Sequence, residues 1–366
     1  MSKDFFDKPF DEETLTKLEL YEKYVNEWLP VFLANRKPLT KIINIFDFFS
    51  GPGQDSIGFY GSPLIVVKAL MTERFRREIK EKNLKVNLYF NDKESKYIKE
   101  LKKNINVLNV QNEPFTIHYE NLHFKDVFEK WTGKMKGGAN LVFLDQFGIE
   151  CVKKDKFQLL TKIAMTDIIF FISSSFFNRF HWHETFKGVL DISKKEIEEM
   201  SFYKIHNLVL KKYEEFVPSN LTYYLAPFSI KRGSNINGLI FGSRHSLGIE
   251  KFLKVCWDKD KLRGTANFDI DKENINIKNP SLFAEYNIPR KIDVFEKELK
   301  KKILDKSITT SRECMIFALR NGFIGKHVRE VINELIRENK IHKKSFTLNS
   351  KAIYKNDILI EKIELK

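Results

Sequence analysis

From residue 41 onward, short apolar runs alternate with amphipathic helical stretches, and few folds accept that rhythm. The apolar runs are Ile42–Phe49, Val86–Asn91, Phe115–Tyr119, Asn140–Leu144 and Asp167–Ile172. Helical spacing lies between them, over Pro63–Lys82 and Lys93–Asn104. Near-continuous apolar strands separated by helices predict a parallel sheet covered on both faces. The rhythm then breaks. Leu221–Ile230 and Gly238–Phe241 are strand-like and flank the polar turn KRGSNIN, so the sheet is expected to end in an antiparallel hairpin. The fold class read from this order is α/β, Rossmann-like, parallel with a terminal antiparallel pair.

The flanks read differently. Residues 11–36 carry Leu15, Leu18, Leu20, Tyr21, Tyr24, Val25, Trp28 and Leu29 at helical spacing, with Asp11 as cap and Pro30 as kink or stop. Residues 257–290 are polar with weak periodicity and read as a linker. Beyond them, helices are expected over Val294–Asp305, Ser311–Arg320 (capped by Thr309 or Thr310, stopped at Asn321-Gly322) and within Phe323–Asn339. Strand-like runs at Lys344–Leu348 and Ile358–Ile363 follow. Three helices and a hairpin in this order make a winged helix-turn-helix. The expected division is 1–40 as a helical segment on the core, 41–256 as the sheet domain, 257–290 as linker and 291–366 as the winged unit.

Charge bears on partners. The 366 residues hold 63 Lys+Arg against 49 Asp+Glu, a formal charge of +14, and 291–366 hold 18 against 11. That tail carries half of the excess in about a fifth of the chain, the footprint of a nucleic-acid-binding unit, although such a unit also binds protein. The competing reading is a Lys-rich composition with no nucleic-acid role, as in many basic proteins. Three scattered cysteines, Cys151, Cys256 and Cys314, give no CxxC pair and no disulfide framework. With an acidic, mixed opening stretch and no apolar run of spanning length, the chain reads as cytoplasmic, with no membrane partner.

The first strand ends in IFDFFSGPGQD, residues 45–55. In open parallel sheets, ligands sit beyond the carboxyl ends of the strands, and glycines there let the backbone approach them. Asp47 would fix backbone or ligand amines, and Phe49-Ser50-Gly51-Pro52-Gly53 would form the cofactor turn. A dinucleotide fingerprint needs a third glycine at closer spacing, so an NAD enzyme is the weaker rival. A nucleoside cofactor without a pyrophosphate fits better, and S-adenosylmethionine is the candidate. Asp92 ends the second strand, where a carboxylate accepts both ribose hydroxyls; it also suits a plain helix cap. Glu120-Asn121, after the third strand, would reach the adenine or form a surface turn. Asp145, Gln146 and Phe147 end the fourth strand. There the acid would orient or deprotonate an acceptor and the ring would stack on a flat base, unless they serve as a strand-end cap and a core side chain. Arg179–Glu184, RFHWHE, has two alternating histidines and no distant third ligand, so no metal is assigned. Cys151 reads as a buried thiol and Lys300-Lys301-Lys302 as a solvated helix face.

Taken in order, FDFFSGPG (46–53), GSPLIVVKAL (61–70), LYFND (88–92), LVFLDQFGI (141–149) and GLIFGSRHSLGIEKFLKVCW (238–257) resemble the three-Cys-motif partner proteins, which have a class I S-adenosylmethionine-dependent methyltransferase-like fold. The resemblance spans most of the chain, including the leading helix with Trp28 and the winged end. It implies methyl transfer, a partner protein with a three-cysteine cluster motif, and gene neighbourhoods linked to defence against phage. One departure matters. The family's Asp-Pro-Phe is Asp145-Gln146-Phe147 here, which frees an amide N–H and relaxes the turn. A catalytically inactive, nucleic-acid-binding or regulatory subunit on the same fold is the alternative.

Overall fold

The computed structural model describes residues 5–145, 152–173, 205–232, 235–266, 290–342, 344–355 and 361–366. Two compact units divide the chain: residues 1–223 with 229–244, and residues 224–228 with 245–366. The helix Ser246–Lys259 therefore falls with the C-terminal unit, on the far side of the boundary expected at 256/257.

The sheet has seven strands: β1 (Ile42–Asp47), β2 (Lys85–Asn91), β3 (Thr116–Glu120), β4 (Ala139–Leu144), β5 (Thr166–Ser173), β6 (Tyr224–Arg232) and β7 (Asn235–Ser243). Their order is β3-β2-β1-β4-β5-β7-β6. β1 pairs in parallel with both β2 and β4, and β5 meets β7 antiparallel. This is the doubly wound sheet of the class I methyltransferase-like fold, with its antiparallel edge. The chain winds outward from β1 in one direction and then the other, so the switch point lies between β1 and β4, where such sheets hold ligands.

Register at the amino ends of the central strands is pinned by a buried polar ladder. Asn87 Nδ2 donates to Asn44 Oδ1 at 3.0 Å, Asn44 Nδ2 to Asn140 Oδ1 at 3.0 Å, and Asn140 Nδ2 to Thr166 Oγ1 at 2.9 Å. A one-residue slip would strand these amides in the core, where unpaired polar groups are costly.

The leading helix, α1 (Glu12–Leu33), starts where Asp11 Oδ1 accepts from Thr14 N at 2.9 Å. It runs only one residue beyond Phe32 after passing through Pro30. Its buried face holds Leu18, Tyr21, Tyr24, Val25, Trp28 and Leu29, but Leu15 is exposed and Lys17 is buried. The Tyr21 ring packs tilted against Phe143 of β4 at 4.3 Å, and Tyr24 Oη donates to Asp167 of β5 at 2.7 Å.

The stretch expected as one helix over Pro63–Lys82 is two, α2 (Ser62–Leu70) and α3 (Glu73–Glu81). Thr72 separates them in an extended conformation, with its hydroxyl turned back to Ala69 O. The next helix, α4 (Ser95–Asn106), precedes β3; α5 (Phe124–Thr132) follows it, and α6 (Lys154–Lys162) follows β4.

In the C-terminal unit, helices span Lys291–Leu304, Ser311–Arg320 and Gly325–Arg337. Thr310 and Glu313 form a reciprocal capping box, and Gly322 ends the second helix at φ +79°. The expected wing differs. Lys344–Leu348 lacks strand pairing in the described part, and a single helical turn, Lys351–Tyr354, stands where the hairpin turn was expected. Isolated bridges Ile341↔Leu365 and Thr310↔Lys362 tie the last residues back to the helices. Lys300 is not merely solvated: its ammonium pairs with Glu334 of the third helix and with Glu338 just past its end. No helix among the described residues is long and apolar enough to cross a membrane.

Candidate active site

β1 delivers Asp47 to the switch point, opposite Phe90 of β2 and Phe143 of β4. Its carboxylate is fully buried and spent on the local chain. It accepts Phe49 N at 3.1 Å and Ser62 Oγ at 2.6 Å. Ser62 opens α2. Gly61 takes the cap position and the Ser62 hydroxyl holds Asp47 instead. Burial pushes Asp47 up to about 7 against the pull of those two hydrogen bonds, and the charges of Asp145 and Asp92 raise it further.

The turn that follows is held from all sides. Ser50 N donates to Asn91 O at 2.9 Å, and Asn91 N donates to Ser50 Oγ at 3.1 Å. Gly51 N donates to Asp92 Oδ2 at 3.1 Å, Asn104 Nδ2 to Pro52 O at 2.8 Å, and Gly61 N to Gly53 O at 2.7 Å. Gly51 and Gly53 sit at φ +56° and +84°, the left-handed region that favours glycine. A methyl group on Gly53 would collide with Leu64, and one on Gly51 with the Phe6 ring. Phe49 lies parallel to Phe124 of α5 at 5.5 Å.

Asp92 at the end of β2 serves two amides, Gly51 N and, at 2.9 Å, Glu94 N at the start of α4. It joins the turn to the helix and keeps acceptor positions open, since a carboxylate offers about four. Burial raises its pKa. Asn121 donates to Asp92 O at 2.8 Å and Lys93 O at 2.9 Å, bracing this loop. Glu120 is paired with Lys130 at 2.7 Å. Asp145, just past β4, forms an ion pair with Lys17 of α1. Gln146, Phe147, Cys151 and the RFHWHE stretch lie outside the described residues.

The structure thus gathers Asp47, Phe49, Ser50, Gly51, Pro52, Gly53, Asp92 and Asp145 around the ends of β2, β1 and β4. Glu120 and Asn121 stand beside them, engaged with their own neighbours. Two participants escaped the sequence reading. Asn91 holds three backbone groups, Phe48 O, Leu122 O and Leu122 N, and looked like one more strand residue. Lys17 is a lysine on the apolar face of α1, a position marked only by its spacing from Tyr21 and Tyr24.

Among family models, the GMT-like wHTH domain matches residues 269–345. This fits the three helices and their capping, and the matched C-terminal region is a winged helix-turn-helix domain. Nothing matches among the curated proteins. Solved structures similar to the chain include the SAM-dependent methyltransferase from Agrobacterium tumefaciens, at 12% identity and TM-score 0.34, covering 63% of this chain and 62% of that one. The O-methyltransferase TomG from Streptomyces achromogenes, in complex with SAM, shares 8% identity at TM-score 0.34, over 65% of this chain and 91% of that one. An O-methyltransferase from Bacillus cereus in complex with SAH shares 10% at TM-score 0.33, over 64% and 91%. The chain spans less than two thirds of the length of the first of these. The fold assignment rests on the strand order itself.

Proposed function

We propose that the protein is an S-adenosylmethionine-dependent methyltransferase acting on nitrogen of a nucleobase, with its winged domain holding the nucleic acid. The observation that carries this reading is the convergence of Asp92 and Asp47 on a left-handed glycine turn at the switch point, with Asp145 at the end of the neighbouring strand β4. The residues suit the cofactor: Asp92 has acceptor positions to spare for two ribose hydroxyls, and the glycines keep side chains off the turn. Bound S-adenosylmethionine supplies an electrophilic methyl group. This chain's part is to bind and orient: Asp92 grips a ribose, Asp47 keeps the turn in shape, and Asp145 presents an acceptor for an approaching N–H. On the winged domain, Lys326, Arg329, Asn333 and Arg337 are exposed along one helix, Gly325–Arg337, as a groove-reading helix requires.

A second reading has its own support. Phe6 packs against Gly51, which suits a subunit that keeps the fold and has given up turnover. Calorimetric titration with S-adenosylmethionine and S-adenosylhomocysteine, beside Asp92→Ala, tests the cofactor pocket, and transfer of a labelled methyl group to duplex separates the two. Micromolar binding that the substitution weakens by a hundredfold or so supports the enzyme, since it removes charge-assisted hydrogen bonds of about 1.5–3 kcal/mol each. No binding by the folded wild type sinks it. A three-cysteine-motif partner and a role in phage defence come from the family resemblance alone. Co-purification with the neighbouring gene product tests the partner.

A further inference from the structure

Lysine seldom lies on the buried face of a helix unless something answers its charge. Lys17 is buried, its ammonium pairs with Asp145 Oδ2, and it lies 4.7 Å from the centroid of the Phe171 ring on β5. Its position is not adjustable. Tyr21, one turn on, packs against Phe143, and Tyr24 is tied to Asp167, so α1 is fixed across β4 and β5. The pair stands at the acceptor side of the site, one residue beyond β4 and beside the strand that carries Asp47. Asp145 retains 24% of its side-chain exposure, so the paired carboxylate is still within reach of an incoming group.

We infer that Lys17 is a positioning residue that cancels the charge of Asp145 and restricts the acceptor to a neutral nitrogen, such as the exocyclic amine of a base, against a protonated alkyl amine. This rests on the methyltransferase reading above. A lone carboxylate in a half-buried pocket rewards a second cation strongly; a carboxylate already paired with an ammonium does not. It still accepts a hydrogen bond, which is all a neutral amine needs to be aimed. A protonated lysine or polyamine would meet Lys17 as a like charge.

Two cofactor analogues read this directly, without turnover. S-adenosylhomocysteine carries a neutral sulfur, and sinefungin places an ammonium where the transferred methyl group sits. Calorimetry gives the ratio of their affinities for the wild type, Lys17→Met, Asp145→Asn and the double variant, each with a melting curve. The wild-type ratio is expected within about threefold of unity. Lys17→Met should shift it about tenfold towards sinefungin, Asp145→Asn about tenfold away from it, and the double variant should restore it. If Lys17 merely supports packing, both ligands weaken together and the ratio stays put in every variant, which overturns the inference. Should Lys17→Met not fold, the Asp145→Asn arm decides by the same criterion. Failure of both analogues to bind the wild type overturns the methyltransferase reading itself, a result distinct from an unmoved ratio.

Discussion

At Asp47 two effects oppose each other: complete burial disfavours the carboxylate, while Phe49 N and the Ser62 hydroxyl favour it. Burial wins, with a folded value near 7 against the ordinary 3.8. Between those values the folded state binds the proton that the unfolded state has released. The contribution of Asp47 to stability therefore falls as pH rises from about 4 to about 7, and is at its most unfavourable above that. Asp47→Asn keeps one acceptor for Phe49 N and an amide for Ser62 Oγ while removing the charge. The ligand-free variant should melt above the wild type at pH 8, and the gap should close by pH 5. A gap that stays constant with pH would mean that the carboxylate is not held this way. Asp47 and Asp92 were legible in the sequence because each sits at the end of an apolar run. Asn91 and Lys17 were not, because their roles depend on neighbours that come 31 and 128 residues later in the chain.

Among elements, the strands were legible and their ends less so. Continuous apolar runs mark β1, β2, β4 and β5, since each is covered on both faces. The split of α2 from α3 was hidden because Thr72 is an ordinary surface residue until its hydroxyl bonds Ala69 O. One expected strand differs for a related reason: Lys344–Leu348 alternates like a strand, yet its backbone serves a different contact. Leu348 O presses so closely on Gly325 that no Cβ fits there. Gly325 thus opens the third helix of the winged domain at a backbone crossing. Gly325→Ala should destabilise that domain by about 2 kcal/mol or more, since backbone cannot swing aside as a side-chain tip can. Urea unfolding followed by the fluorescence of Trp257, which donates to Gly322 O at 2.9 Å, reports it. An unchanged midpoint would show the crossing to be loose.

At the scale of the molecule, the charge is the most general property and belongs to the nucleic-acid reading. With +14 overall and a basic excess concentrated in the winged domain, binding to duplex should weaken steeply with salt. Arg329→Ala should reduce the slope of log K against log salt by about one if Arg329 meets a phosphate. A slope near zero in the wild type would remove nucleic acid from the list of partners. The strand order has a different consequence, one of timing. Tyr24 leaves the ribosome 143 residues before its partner Asp167, and the Phe241 ring against it at 4.9 Å comes later still. Until β4, β5 and β7 have been made, the face of α1 that carries Tyr21 and Tyr24 lacks these partners. A helix made before most of the sheet is thus among the last elements to be fully seated, and a nascent chain must carry these aromatic rings only partly covered through much of its own translation.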